Sequence, residues 1–143
     1  MRMPQRFVDA SVFVHAYLRP RRELRPHERQ IKAHARAIVT RINDGEEVAT
    51  SCVHVMEVAN LLEDWMPLAD AREILIGLAA RDNVEIFAVE RRDLLAALAV
   101  GSDANVGASD ALAAVLMRAA GIAEVYSFDR DFDRFEDLRR ISQ

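Results

Sequence analysis

The chain has 143 residues, 51% hydrophobic and 29% charged, which suits one domain with a core of ordinary size and excludes a disordered or low-complexity chain. No apolar run approaches the ~20 residues that cross a bilayer, and Met1-Arg2-Met3-Pro4-Gln5-Arg6 leads into a strand-like run rather than a signal-peptide core. Cys52 is the one cysteine, which excludes an internal disulfide framework and a Cys-based zinc site. The expectation is a single domain over residues 1–143, cytoplasmic and without a membrane partner.

The net charge of -4 conceals an asymmetry. Arg19, Arg21, Arg22, Arg25, Arg29, Lys32, Arg36 and Arg41 face only Glu23 and Glu28 within Arg19–Arg41, so that segment carries +6 and the remainder -10. An acidic body with one basic arm is not a protein that coats nucleic acid along a whole face, but it can touch a polyanion in one place. Lys32 is the one lysine among 19 basic residues, and arginine suits phosphate through its planar fork. The alternative is a solvated, arginine-rich helix face.

In chain order, Phe7-Val8 predicts a short buried strand and Ser11–Leu18 a short helix, followed by a loop broken by Pro20 and Pro26. Ile31, Ala35, Ile38 and Ile42 recur at helical spacing over His27–Asn43, with Arg29, Lys32 and Arg36 on a neighbouring stripe. Val48–Thr50 predicts a second strand and Val53–Trp65 a helix burying Val55, Val58, Ala59 and Leu62. Pro67 can open a helix running to about Arg81. Val84–Val89 predicts a third strand, Arg92–Val100 a helix, and Gly101–Gly107 a small polar loop containing Asp103. Ser109–Ala120 is an Ala/Leu-rich helix closed by Gly121, Glu124–Ser127 a fourth strand and Arg140-Ile141 a short fifth. Strands alternating with helices predict an α/β domain with a mainly parallel sheet and helices on both faces, whose ligands sit at the carboxyl edge of the strands.

Four acids fall at that edge: Asp9 after the first strand, Glu57 one turn into the following helix, Asp110 at the start of the late helix and Asp129 after the fourth strand. Asp9 and Asp110 also suit helix caps, Asp129 and Asp131 also suit turns that bond their own backbone, and Glu57 could join Asn60 and Asp64 on a wet stripe. Taken together, close carboxylates repel by roughly 4 kcal/mol per pair at about 4 Å. Divalent cations with a taste for hard oxygen, Mg²⁺ or Mn²⁺, relieve that repulsion. A carboxylate-held metal pair activates water and stabilises the attacking and leaving oxygens in phosphodiester cleavage.

Phe7-Val8-Asp9-Ala10-Ser11, Thr50-Ser51 leading to Glu57, Ser109-Asp110-Ala111-Leu112 and Ser127-Phe128-Asp129-Arg130-Asp131-Phe132 stand in this order along nearly the whole chain. In these pieces the sequence resembles the PIN-domain proteins (PilT N-terminus type), most closely the VapC toxins of bacterial and archaeal VapBC toxin–antitoxin pairs. The resemblance implies a PIN-like three-layer α/β/α fold with a central, mainly parallel sheet of four to five strands. It also implies a Mg²⁺- or Mn²⁺-dependent endoribonuclease acting on RNA, dimeric, and inhibited by a small VapB-like antitoxin.

Carried over residue by residue, Asp9, Glu57, Asp110 and Asp129 are the catalytic, metal-holding quartet. Asp131 is an auxiliary or alternative ligand, and Ser11 and Ser127 hydrogen-bond within the site. Position 127 is often threonine in the family, and serine keeps the hydroxyl. The Arg19–Pro26 loop is longer than in a compact member. Its Arg19, Arg21, Arg22 and Arg25, together with Arg29, Lys32, Arg36 and Trp65, are candidate contacts to RNA or to the antitoxin. Trp65, at a helix–helix junction, is otherwise expected in the core, as is Cys52 as a small apolar group, and His54 is expected to be structural. The rival readings are a PIN-fold binding or assembly module with little catalysis and a metal-dependent phosphohydrolase of small substrates.

Overall fold

A computed structural model describes residues 3–143; Met1 and Arg2, the start of the hexapeptide considered above, lie outside the described residues. Five strands, β1 (Arg6–Val8), β2 (Val48–Ser51), β3 (Val84–Phe87), β4 (Glu124–Tyr126) and β5 (Arg139–Ile141), form one sheet in the order β3-β2-β1-β4-β5. All four pairings are parallel, with Phe7 opposite both Ala49 and Val125. The connections are helical: α1 (Ala10–Tyr17) and α2 (Pro26–Asn43), then α3 (Cys52–Glu63) and α4 (Leu68–Ala79), then α5 (Arg91–Ala104) and α6 (Ala108–Ala120). A 3₁₀ helix over Arg130–Arg134 precedes β5.

The three-layer arrangement follows from strand alternation. Val8, Val48, Val84 and Tyr126 point into one core, filled by Val12, Ile38, Ile42, Val58 and Leu62 of α1 to α3. Their neighbours Phe7, Ala49 and Val125 point into the other, filled by Ala97, Leu112, Met117 and Phe132. Both faces of the short strands are therefore apolar, and the sheet is covered on both sides, as the α/β pattern predicts.

Caps agree with the local sequence. Pro26 occupies the first turn of α2, and the Glu28 carboxylate accepts the Arg25 backbone N–H at 3.1 Å. Gly121 ends α6 in the left-handed region at φ 71°.

Three expectations are corrected. Gly101–Gly107 is not all loop: α5 continues through Ala104, and Asn105 ends it at φ 56°. Gly101 lies inside that helix at a close approach, where a Cβ would stand 2.9 Å from the Val106 carbonyl oxygen and 3.4 Å from Ala111 Cβ. The bare backbone lets α5 meet the start of α6, and Asp103 becomes an exposed helical residue. Cys52 is exposed rather than buried, because it opens α3 with Ser51 as N-cap and faces away from the sheet. Trp65 is 56% exposed, outside the core that Leu62 joins one turn earlier.

Candidate metal centre

The strand order reverses at β1: the chain steps from β1 to β2 and β3 on one side, then crosses to β4 and β5 on the other. Ligand sites of open parallel sheets lie in the crevice at such a switch, beyond the carboxyl ends of the strands. Asp9 follows β1 there, and Ser127 and Asp129 follow β4.

Serine hydroxyls organise this edge. Ser127 Oγ donates to Asp9 Oδ2 at 2.9 Å and accepts the Asp129 backbone N–H at 2.9 Å. Ser11 Oγ lies 3.3 Å from Ser127 Oγ and accepts the Phe128 N–H at 3.1 Å. Ser127 is fully buried and Asp9 is 3% exposed, so the loop after β4 is fixed against the start of α1. Asp129 Oδ1 in turn accepts the Asp131 N–H at 2.9 Å. That turn presents both carboxylates on one side, so Asp129 is an Asx-turn residue and a site residue at once.

Asp110 sits in the first turn of α6, where the helix dipole favours an acid. Oxygen atoms of Asp110, Asp129 and Asp131 all lie within 4.8 Å of one another. Burial, a shared hydrogen bond with Asp129 and the charges of Asp9, Asp129 and Asp131 push the Asp110 carboxyl up to about 8. Asp131 also stands 3.8 Å from Arg134 Nε, a distant pairing on the solvent side.

Glu57 is not a member of that close set. Its Oε2 accepts a 2.6 Å hydrogen bond from Ser109 Oγ, one residue before Asp110. The Ser109 carbonyl accepts from His54 Nε2 at 3.0 Å, which requires the proton on Nε2, so Nδ1 accepts from Ser51 Oγ at 2.6 Å. His54 is fully buried with its ring edge-on to Phe7 at 5.1 Å. It is a structural residue that locks the start of α3 to the start of α6. Ser109 and His54 are the positioning residues that spacing does not reveal. The one local signal is a hydroxyl immediately before the helix-opening Asp110.

The basic residues of the arm hold the α1–α2 junction. Arg19, Arg21, Arg22 and Arg25 occupy the α1–α2 loop, with Arg29, Lys32 and Arg36 along α2. Arg22 holds Glu28 through two bonds of 3.0 and 2.7 Å, Arg29 bonds the Leu24 carbonyl at 3.0 Å, and Lys32 Nζ bonds the Leu18 and His15 carbonyls at the end of α1.

The sequence matches the PIN domain over residues 6–138, nearly its whole length. The chain belongs to the PIN domain family. No curated protein matches this PIN domain in sequence. Its fold superposes on VapC20 of Mycobacterium tuberculosis, a sarcin–ricin loop cleaving toxin, with a TM-score of 0.69 and 21% identity over 94% of this chain and 98% of that one. A toxin–antitoxin complex of Klebsiella pneumoniae gives 0.62 and 13% over 92% and 93%. VapBC2 of Rickettsia felis, bound to a DNA fragment from its promoter, gives 0.64 and 13% over 95% and 96%. At these identities the likeness to each is one of fold.

Proposed function

We propose that this PIN domain is a metal-dependent endoribonuclease of the VapC type, one domain over residues 1–143, acting in the cytoplasm on RNA phosphodiesters and restrained by a VapB-like antitoxin. The observation that carries the proposal is the convergence of Asp110, Asp129 and Asp131 within 4.8 Å at the carboxyl edge of the sheet. The donor set fits Mg²⁺ or Mn²⁺: three hard carboxylate oxygens whose mutual repulsion is relieved by a proton on Asp110 or by a cation in its place.

Asp110, Asp129 and Asp131 would hold the ion, with Asp9 and Glu57 completing the acidic set. When bound, the cation supplies the positive charge that lowers the cost of ionising a water and of building charge on the scissile phosphate. Asp9 is held through Oδ2 by Ser127, and Glu57 through Oε2 by Ser109. Glu57, so held, would accept the proton of the attacking water. Water is the nucleophile, and no side chain is consumed. The exposed Leu94, Leu95 and Leu98 of α5 support a homodimer in which that apolar face is covered. The toxin–antitoxin complexes among the similar structures support the antitoxin partner.

The test is cleavage of structured RNA, including tRNA, by purified protein with Mg²⁺ or Mn²⁺, beside EDTA, Asp9→Asn and Asp110→Asn controls. Cutting that is lost in all three controls is the expected outcome. Cutting that survives them, or hydrolysis of a chromogenic phosphate ester with no RNA cut, would overturn the proposal.

A further inference from the structure

Two helices run from the carboxylates to one cleft. α1 begins beside Asp9 and α3 beside Ser51, at the same edge of paired parallel strands, and the two helices pack together. Their far ends meet at a cleft lined by Pro20, Arg21, Arg22, Asp64 and Trp65. At ~1.5 Å per residue the eight residues of α1 and the twelve of α3 span about 12 and 18 Å, which sets the cleft on the order of 12–18 Å from the site edge. A nucleic-acid strand covers that distance in a few nucleotides.

The chemistry of the cleft is specific. Trp65 is the one tryptophan of the chain and is 56% exposed, although an indole gains more from burial than almost any side chain. Arg22 is held in place by its two bonds to Glu28, which draw the Glu28 carboxyl down to about 2. Arg21 and the adjacent Arg19 and Arg25 make no ion pair with an acid among the described residues. Asp64 is the one acid in the lining, within a segment pair dominated by arginine. A flat aromatic face beside the unneutralised, planar guanidinium group of Arg21 is the pairing that single-stranded nucleic acid uses: bases stack and phosphates are forked.

We infer that this cleft is a subsite for single-stranded RNA, in which a base stacks on Trp65 while Arg21 holds the flanking phosphate. The inference rests on the nuclease reading and extends it, since it makes the enzyme prefer a strand that is unpaired a few nucleotides from the scissile bond. An acidic protein segment is the competing occupant, and it is less well matched, because it leaves the indole face without a stacking partner.

Because Trp65 is unique, its fluorescence reports on this cleft alone. Wild-type protein in EDTA, where the RNA would stay intact, is titrated with single-stranded octauridylate and, separately, with an octaglutamate peptide. Expected is quenching of Trp65 by the RNA at lower concentration than by the peptide. Anisotropy of labelled octauridylate then gives about tenfold weaker binding for Trp65→Ala and near wild-type binding for Trp65→Phe. The Arg21→Ala variant reduces the slope of log affinity on log salt by about 0.7, one phosphate's worth.

Unchanged fluorescence at saturating RNA, equal affinity of Trp65→Ala, or stronger quenching by octaglutamate would each overturn the inference. The same preparations are assayed for cutting with Mg²⁺. Wild type that cuts RNA while Trp65 stays silent removes the cleft and leaves the nuclease. Wild type that binds through Trp65 but cuts nothing removes the nuclease and leaves the cleft.

Discussion

Ser109 Oγ holds Glu57 Oε2 at 2.6 Å while the next residue, Asp110, turns to Asp129 and Asp131. The first turn of α6 therefore handles two acids in opposite ways: Glu57 is satisfied by a neutral donor, and Asp110 is pressed against further carboxylates. The Ser109 carbonyl, tied to His54, fixes this turn against α3 on the far side of β2. One residue thus sets the spacing between the acid of α3 and the acids around β4.

Replacing Ser109 with Ala removes the Glu57 anchor without touching the close carboxylates. The metal-dependent cutting rate is expected to fall 10–100-fold, the usual effect of losing a positioning hydrogen bond behind a metal site. Stability should fall by only about 1 kcal/mol. Ser109→Thr should restore most of the rate. Initial rates alongside urea titrations check both, and a rate loss matched by global unfolding would refute the positioning role.

The Asp110 carboxyl, raised from 3.8 to about 8, predicts a definite pH dependence. Between these values the folded chain keeps a proton that the unfolded chain has released. Stability in EDTA should therefore decline as pH rises from about 4 to about 8. A divalent cation must displace that proton, so its affinity should climb over the same range and its binding should release protons. Calorimetry at pH 6.5 in two buffers of different ionisation enthalpy measures the release directly. Affinity independent of pH would show that the ion does not use Asp110.

Asp110→Asn separates the electrostatic cost from the function. Removing one of the converging carboxylates should raise the melting temperature in EDTA at pH 8 by a few degrees, at roughly 2–4 °C per kcal/mol. The same change should abolish the rise that Mg²⁺ gives to the wild type. Thermal melts with and without Mg²⁺ decide it; a variant destabilised in both conditions would mark Asp110 as a structural cap.

Gly101→Ala tests the join between α5 and α6. The added Cβ meets the Val106 carbonyl oxygen at 2.9 Å and Ala111 Cβ at 3.4 Å, both held by packed backbone. A loss of roughly 1–3 kcal/mol is expected from overpacking, even though alanine favours a helix over glycine. Urea unfolding that showed a gain would mean that the two helices are free to separate.

Most of the element order is legible in the sequence, because amphipathic spacing such as Ile31, Ala35, Ile38 and Ile42 and short apolar runs such as Phe7-Val8 are local properties. The site edge is legible too, since Asp9, Asp110 and Asp129 directly follow or open predicted elements. Gly101–Gly107 misleads because Ser102, Asp103 and Asn105 have loop composition. What Gly101 serves there is a close approach to the Val106 carbonyl and to Ala111 of α6, which composition does not reveal. Cys52 and Trp65 mislead for a related reason: their type favours burial, but which side of a helix end faces the sheet is decided by the neighbouring strand.

The sequence by itself determined that an α/β PIN domain places acids at the ends of successive strands, because helix and strand periodicity and the ordered motifs are carried by the chain's own residues. Only the tertiary structure decided that β4 pairs with β1, bringing Asp129 and Asp131 to Asp110 while Ser109 holds Glu57 aside. Strand order and hydroxyl–carboxylate contacts across 52 or 118 positions of sequence depend on packing between distant segments, to which local periodicity is blind.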